Sequence, residues 1–162
     1  MSTEDLSKWK NNLGFSSLSF DGASKGNPGI ASAGGVIFDH KGIKQQEYAW
    51  GIGSETNNGS EWYALIKGLE LTREMRIEEM NVIGDTLIVI REARKNYKNW
   101  KHPSTKMHNM LLCLVKEFKN LTFLHVLREQ NHRGDSMENK GVGLNCVVIE
   151  KDSVVNENVW IP

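Results

Sequence analysis

The 162-residue chain has only two cysteines, Cys113 and Cys146, far apart in sequence. That excludes a disulfide framework, and no set of His and Cys with zinc spacing stands in its place. Free thiols in a reducing compartment are expected, with Cys113 buried inside an apolar helical stretch. No apolar run approaches the ~20 residues of a membrane span. Residues 1–10 are polar and mixed in charge, without the basic start and apolar centre of a secretory signal, so an intracellular place, nucleus or cytoplasm, is expected. Net charge is missing too, because twenty basic and twenty acidic residues cancel, which argues against a partner held by overall charge. A phosphate-binding P-loop is excluded, since the glycine-rich residues 22–27 lack the Gly-Lys-Ser/Thr ending.

What remains is an ordinary soluble composition, 39% hydrophobic and 25% charged, in a length that suits one domain. The pattern places a domain at residues 15–148 between an N-terminal tail, 1–14, and a C-terminal tail, 149–162. Residues 15–21 alternate, Leu18 and Phe20 on one face and Ser17, Ser19 and Asp21 on the other, as in a half-buried strand with Asp21 off the core. Residues 31–38 and 44–50 read as two more strands joined by a short hairpin connection with Gly42. Residues 59–75 carry Trp62, Leu65 and Leu69 at helical spacing, with Asn58 as the expected N-cap. A strand at 80–83, helices at 86–95 and 105–118, a strand at 121–126 and a last helix from near Arg133 complete an α/β fold. Its sheet is five-stranded and mixed, an antiparallel meander plus two parallel strands fed by crossover helices.

Four acids fall at element ends: Asp21 before a glycine-rich turn, Glu61 behind Thr56-Asn57-Asn58, Asp85 behind Val82-Ile83-Gly84, and Asp135 in Asn131-His132-Arg133-Gly134-Asp135. Each has a structural explanation of its own. Asp21 can open a turn, Glu61 can close a capping box with Asn58, Asp85 can cap a helix, and Asp135 can sit against a helix dipole. Those explanations do not account for a shared location. Asp21 and Asp85 end strands that can lie side by side, and Glu61 and Asp135 begin helices that can pack over them. Four carboxylates gathered without a cation repel strongly, whereas two Mg²⁺ ions would neutralise them and serve displacement at phosphorus.

These residues resemble those of a type I ribonuclease H. The resemblance rests on Phe20-Asp21-Gly22-Ala23-Ser24-Lys25-Gly26-Asn27-Pro28-Gly29, on Thr56-Asn57-Asn58 before Glu61, on Gly84-Asp85-Thr86, and on Arg128-Glu129-Gln130-Asn131 leading to Asp135. It covers roughly residues 15–145, and the wording of the motifs is similar to ribonuclease H domains of plant retroelement polyproteins and their archaeal-like relatives. It implies hydrolysis of the RNA strand of RNA–DNA hybrids, leaving a 5′-phosphate and a 3′-hydroxyl. It also implies that Asp21 bridges two Mg²⁺ ions, with Mn²⁺ as a substitute. Glu61 and Asp85 would then hold the ion on the leaving-group side, and Asp135 would complete the one on the attacking side. It further implies a monomer, freestanding or a segment of a reverse-transcriptase polyprotein.

By the same resemblance, Gly22, Ala23, Ser24, Asn27, Asn57, Asn58 and Thr86 would approach the hybrid where 2′-hydroxyls distinguish RNA from DNA. Residues 91–106 hold Arg91, Arg94, Lys95, Lys98, Lys101 and Lys106 against Glu92 alone, with Tyr97 and Trp100 interleaved. Lys98, Trp100 and Lys101 of this stretch would grip the DNA strand, although such a run also suits a solvated helix end. The chain departs from the family where many members carry a loop histidine before the last acid, since His132 is the only candidate here. Two rival readings stay open: a catalytically silent, retroelement-derived nucleic-acid-binding module, and a DNA nuclease on the same fold.

Overall fold

The computed structural model describes residues 1–26, 28–95 and 106–132. The chain begins with helix α1 (Thr3–Asn11), then strands β1 (Ser16–Gly26), β2 (Gly29–Phe38) and β3 (Lys44–Glu55). Helix α2 (Asn57–Glu74), strand β4 (Glu79–Gly84), helices α3 (Leu87–Arg94) and α4 (Lys106–Val115), strand β5 (Asn120–His125) and helix α5 (Arg128–His132) follow. The strands form one sheet in the order β3-β2-β1-β4-β5. The first three pair antiparallel, and β4 pairs parallel with both β1 and β5, which is the mixed sheet the sequence predicts.

Both faces of the sheet are covered. On one, Leu18, Phe20, Val82 and Phe123 pack with Leu65 and Leu69 of α2, Val89 and Ile90 of α3, and Leu111 and Leu114 of α4. On the other, Ile83, Leu124 and Val126 pack against Trp9, with Leu6 and Met1 beside them. The first fourteen residues, expected as a tail, therefore include a docked helix. Ser2 caps α1 by accepting the Asp5 N–H, and Trp9 and Asp5 are both buried. The cover on both faces also corrects the half-buried reading of β1, because Ser17, Ser19 and Asp21 are as buried as Leu18 and Phe20.

Three further expectations shift. The glycine-rich segment after Asp21 is strand rather than turn as far as Gly26, which pairs with Gly29 across the hairpin tip. The N-cap of α2 is Thr56, whose hydroxyl accepts the Gly59 N–H at 3.0 Å, so Asn58 lies inside the first turn. Cys113 is exposed, because α4 turns Leu111 and Leu114 to the core and leaves the thiol on its outer face. Among the described residues no helix is long and apolar enough to cross a membrane.

Candidate active site

The parallel pairing of β1 with β4 aligns Ser19 with Ile83, so the two strands deliver Asp21 and Asp85 to the same end of the sheet. Helix α2 brings the third carboxylate. Its approach depends on Gly22: a Cβ there would fall inside the backbone of Ser60 and Glu61, so only glycine lets the first turn of α2 press onto β1. Further along α2, the Tyr48 hydroxyl donates to the Ala64 carbonyl at 2.7 Å, holding the helix against the sheet. Burial, with the nearby Glu61 charge, pushes the Tyr48 phenol well above its ordinary range and keeps it a neutral donor.

Asp21, Glu61 and Asp85 each place a carboxylate oxygen so that the three atoms lie within 4.8 Å of one another. Asp21 is 2% and Glu61 4% exposed. Burial, then the charge of Asp21 and a hydrogen bond shared with it, then the charge of Asp85, push the Glu61 carboxyl well above its ordinary range, against a smaller opposing pull from the Gly22 N–H. That N–H also donates to Asp21 Oδ1 at 3.0 Å. Glu61 Oε2 is buried with no hydrogen-bond partner among the described residues.

The ordinary explanations for two of these acids do not hold. With Thr56 as N-cap, the capping-box position is Gly59, not Glu61. The N-cap position of α3 is Thr86, one residue after Asp85. What the arrangement offers instead is a buried set of hard oxygen donors with an unsatisfied acceptor, which fits a hard divalent cation.

A groove of about 390 Å³ opens over Glu61 and Asp85, bordered by Gly22, Asn57, Asn58, Thr86, Ile88 and Arg128. Four residues expected to meet substrate thus border the groove. Ala23 instead pairs with Ser32 in the sheet, and the Ser24 hydroxyl is turned to the carbonyls of Gly26 and Glu55. Asn27, Lys98, Trp100, Lys101 and Asp135 lie outside the described residues. Sequence reasoning assigned no role to Arg128 or Ile88; the position of Arg128 at the start of α5, just past the strand beside β4, was the available signal.

Asn131 is a third residue without an assigned role. Its side chain is buried, accepting from the Ser19 hydroxyl at 2.7 Å and donating to the Phe20 carbonyl at 3.3 Å. It fastens α5 to β1 immediately before Asp21.

The family model described as "Reverse transcriptase-like" matches residues 19–140. The chain is 30% identical over 123 residues to a Ribonuclease HI of Halobacterium salinarum, covering 76% of this chain and 62% of that protein. It is 32% identical over 122 residues to a bifunctional protein of Mycobacterium tuberculosis, 74% of this chain and 33% of that one. The match thus spans less than two thirds of either relative. Among solved structures, LC11-RNase H1 in complex with RNA/DNA hybrid superposes with a TM-score of 0.64 at 31% identity, covering 72% of this chain and 88% of that one. The RNase H1 of Halobacterium salinarum gives 0.61 at 29% identity, covering 71% and 87%. Sheet order, carboxylate placement and these likenesses define a type I ribonuclease H domain. The chain belongs to the reverse-transcriptase-like family.

Proposed function

We propose that this protein is an endoribonuclease that cuts the RNA strand of RNA–DNA hybrids, leaving a 5′-phosphate and a 3′-hydroxyl. The observation that carries the reading is the convergence of Asp21, Glu61 and Asp85 within 4.8 Å of one another, beside a groove that Glu61 and Asp85 line. Asp21, Glu61 and Asp85, with Asp135, would hold two Mg²⁺ ions, and Mn²⁺ would substitute. When bound, such ions neutralise the acids, lower the pKa of water and stabilise the leaving oxygen of an in-line displacement.

The chain's own residues supply the rest. Gly22, Asn57, Asn58 and Thr86 border the groove, where short polar side chains and backbone N–H groups can reach 2′-hydroxyls, the one group that separates RNA from DNA at a given position. Arg128 brings a cation to the same groove, suited to a scissile or neighbouring phosphate. Lys98, Trp100 and Lys101 would hold the DNA strand, the lysines by phosphate contact and Trp100 by packing on a sugar. The protein would act as a monomer inside the cell, freestanding or as a segment of a polyprotein.

The test is cleavage of an end-labelled RNA–DNA hybrid in millimolar Mg²⁺, with double-stranded RNA and DNA of the same sequence as controls, beside Asp21→Asn. Cutting confined to the hybrid and abolished by the substitution is expected. Hybrid binding without cutting by the unaltered protein would overturn the reading in favour of a silent binding module.

A further inference from the structure

The turn that carries Asp85 is held from outside the cluster. Its cap residue Thr86 makes no side-chain capping bond, and the end of β5 braces the turn from the neighbouring strand. The Val126 N–H donates to the Gly84 carbonyl at 3.0 Å, and His125 Nε2 lies 3.1 Å from the Asp85 carbonyl oxygen. A carbonyl only accepts, so the ring donates and Nε2 carries the proton. The two successive carbonyls on either side of the Asp85 Cα are thereby anchored.

His125 is held in turn. Its backbone N–H donates to Asp5 Oδ2 at 3.0 Å, and the same oxygen accepts from Arg94 Nη2 at 2.7 Å, while Arg94 Nε donates to the Phe123 carbonyl at 2.9 Å. Asp5 belongs to α1, whose Trp9 packs against Ile83, two residues before Asp85, and against Leu124 and Val126 on either side of His125. None of α1 falls within the residues matched by the family model, which begin at position 19.

We propose that His125 is a positioning residue for Asp85, and that α1 is the clamp that holds His125 in place. The inference rests on the reading of Asp85 as a metal ligand. Loss of the Nε2–H frees the Asp85 peptide to rotate while the sheet stays paired, so cation affinity falls more than the fold does. Outer-shell partners of metal ligands typically contribute about 10–100-fold in affinity, and a bond to the ligand's own backbone belongs at the lower end.

The experiment is calorimetric titration of the intact protein with Mg²⁺, paired with thermal melting in EDTA. His125→Phe keeps the ring and removes the donor; His125→Asn stays polar but is too short to reach; His125→Gln places an N–H near Nε2. Leu114→Ala, in the core away from the acids, is the control for lost stability alone. Mg²⁺ binding about tenfold weaker in His125→Phe and His125→Asn is expected, with most of it restored in His125→Gln and none lost in Leu114→Ala. Asp5→Ala is expected to weaken binding in the same direction. Affinity in His125→Phe and His125→Asn no lower than in Leu114→Ala would overturn the inference, even where Asp21→Asn abolishes binding. If the unaltered protein shows no Mg²⁺ uptake that Asp21→Asn removes, the metal reading itself falls, and the positioning role with it.

Discussion

Glu61 is the residue at which folding and function pull apart. Its carboxyl titrates at about 4.5 in an unfolded chain and well above that in the fold, so the folded state binds this proton more tightly. Stability from that proton is complete below the unfolded value and is lost as pH rises through the raised folded value. In EDTA the melting temperature should therefore decline as pH climbs above the ordinary carboxylate range. Mg²⁺ should remove the decline by replacing the proton, and Glu61→Gln should remove it without metal. Melting curves against pH check this, and a flat curve for the unaltered protein in EDTA would contradict it. Asn131→Ala leaves the Ser19 hydroxyl and Phe20 carbonyl without their buried partner, and should cost about 1–3 kcal/mol in denaturant unfolding. Little of this was legible in the sequence. The four acids could be picked out, but Asn131 read only as part of a motif, because its partner Ser19 lies 112 positions away.

At the scale of elements, α2 is placed by a missing side chain at one end and closed by a strained residue at the other. Gly22→Ala must move the first turn of α2 off β1 and Glu61 with it, so cleavage should drop at least about a hundredfold, more than lost stability explains. Cleavage rates and melting of the same variant check this. The helix closes in a Schellman motif, the Ile77 N–H reaching the Thr72 carbonyl and the Arg76 N–H the Arg73 carbonyl. Arg76 stands at φ 62°, where an L side chain is disfavoured. Arg76→Gly should raise unfolding stability by about 1 kcal/mol with activity unchanged. The order of strands and of α2 to α4 was legible from short apolar runs and from spacings such as Trp62, Leu65 and Leu69. Helix α1 was not: Leu6 and Trp9 are its main apolar contacts, and its buried Asp5 depends on Arg94 and His125, which local pattern does not reveal. Burial alone would push the Asp5 carboxyl up, but the His125 N–H and Arg94 outweigh it and hold it below the usual range. Its contribution therefore has the opposite sign to that of Glu61, present above the ordinary value and lost as pH falls through the lowered one.

Across the whole molecule, charge is sorted rather than absent. The excess of base in residues 91–106 is balanced elsewhere in a chain of twenty bases and twenty acids. Hybrid affinity should fall steeply with salt despite the neutral total, and Lys98→Ala and Lys101→Ala should each lower the slope of log affinity against log salt by about one unit. Binding isotherms in Ca²⁺ across a range of salt check this. Sheet topology was readable because a meander followed by crossover helices leaves few arrangements, whereas the second buried face of β1 involves contacts distant in sequence, such as Asn131 of α5 on Ser19. The most direct measurement of the central claim is the chemistry of the cut ends from an end-labelled hybrid, for the unaltered protein and for Asp21→Asn, Glu61→Gln, Asp85→Asn and Asp135→Asn. Cation-assisted attack by water predicts 5′-phosphate and 3′-hydroxyl ends from the unaltered protein in Mg²⁺, and cutting reduced at least about a hundredfold in all four variants. Cyclic phosphate ends, or cutting that survives these substitutions, would contradict it.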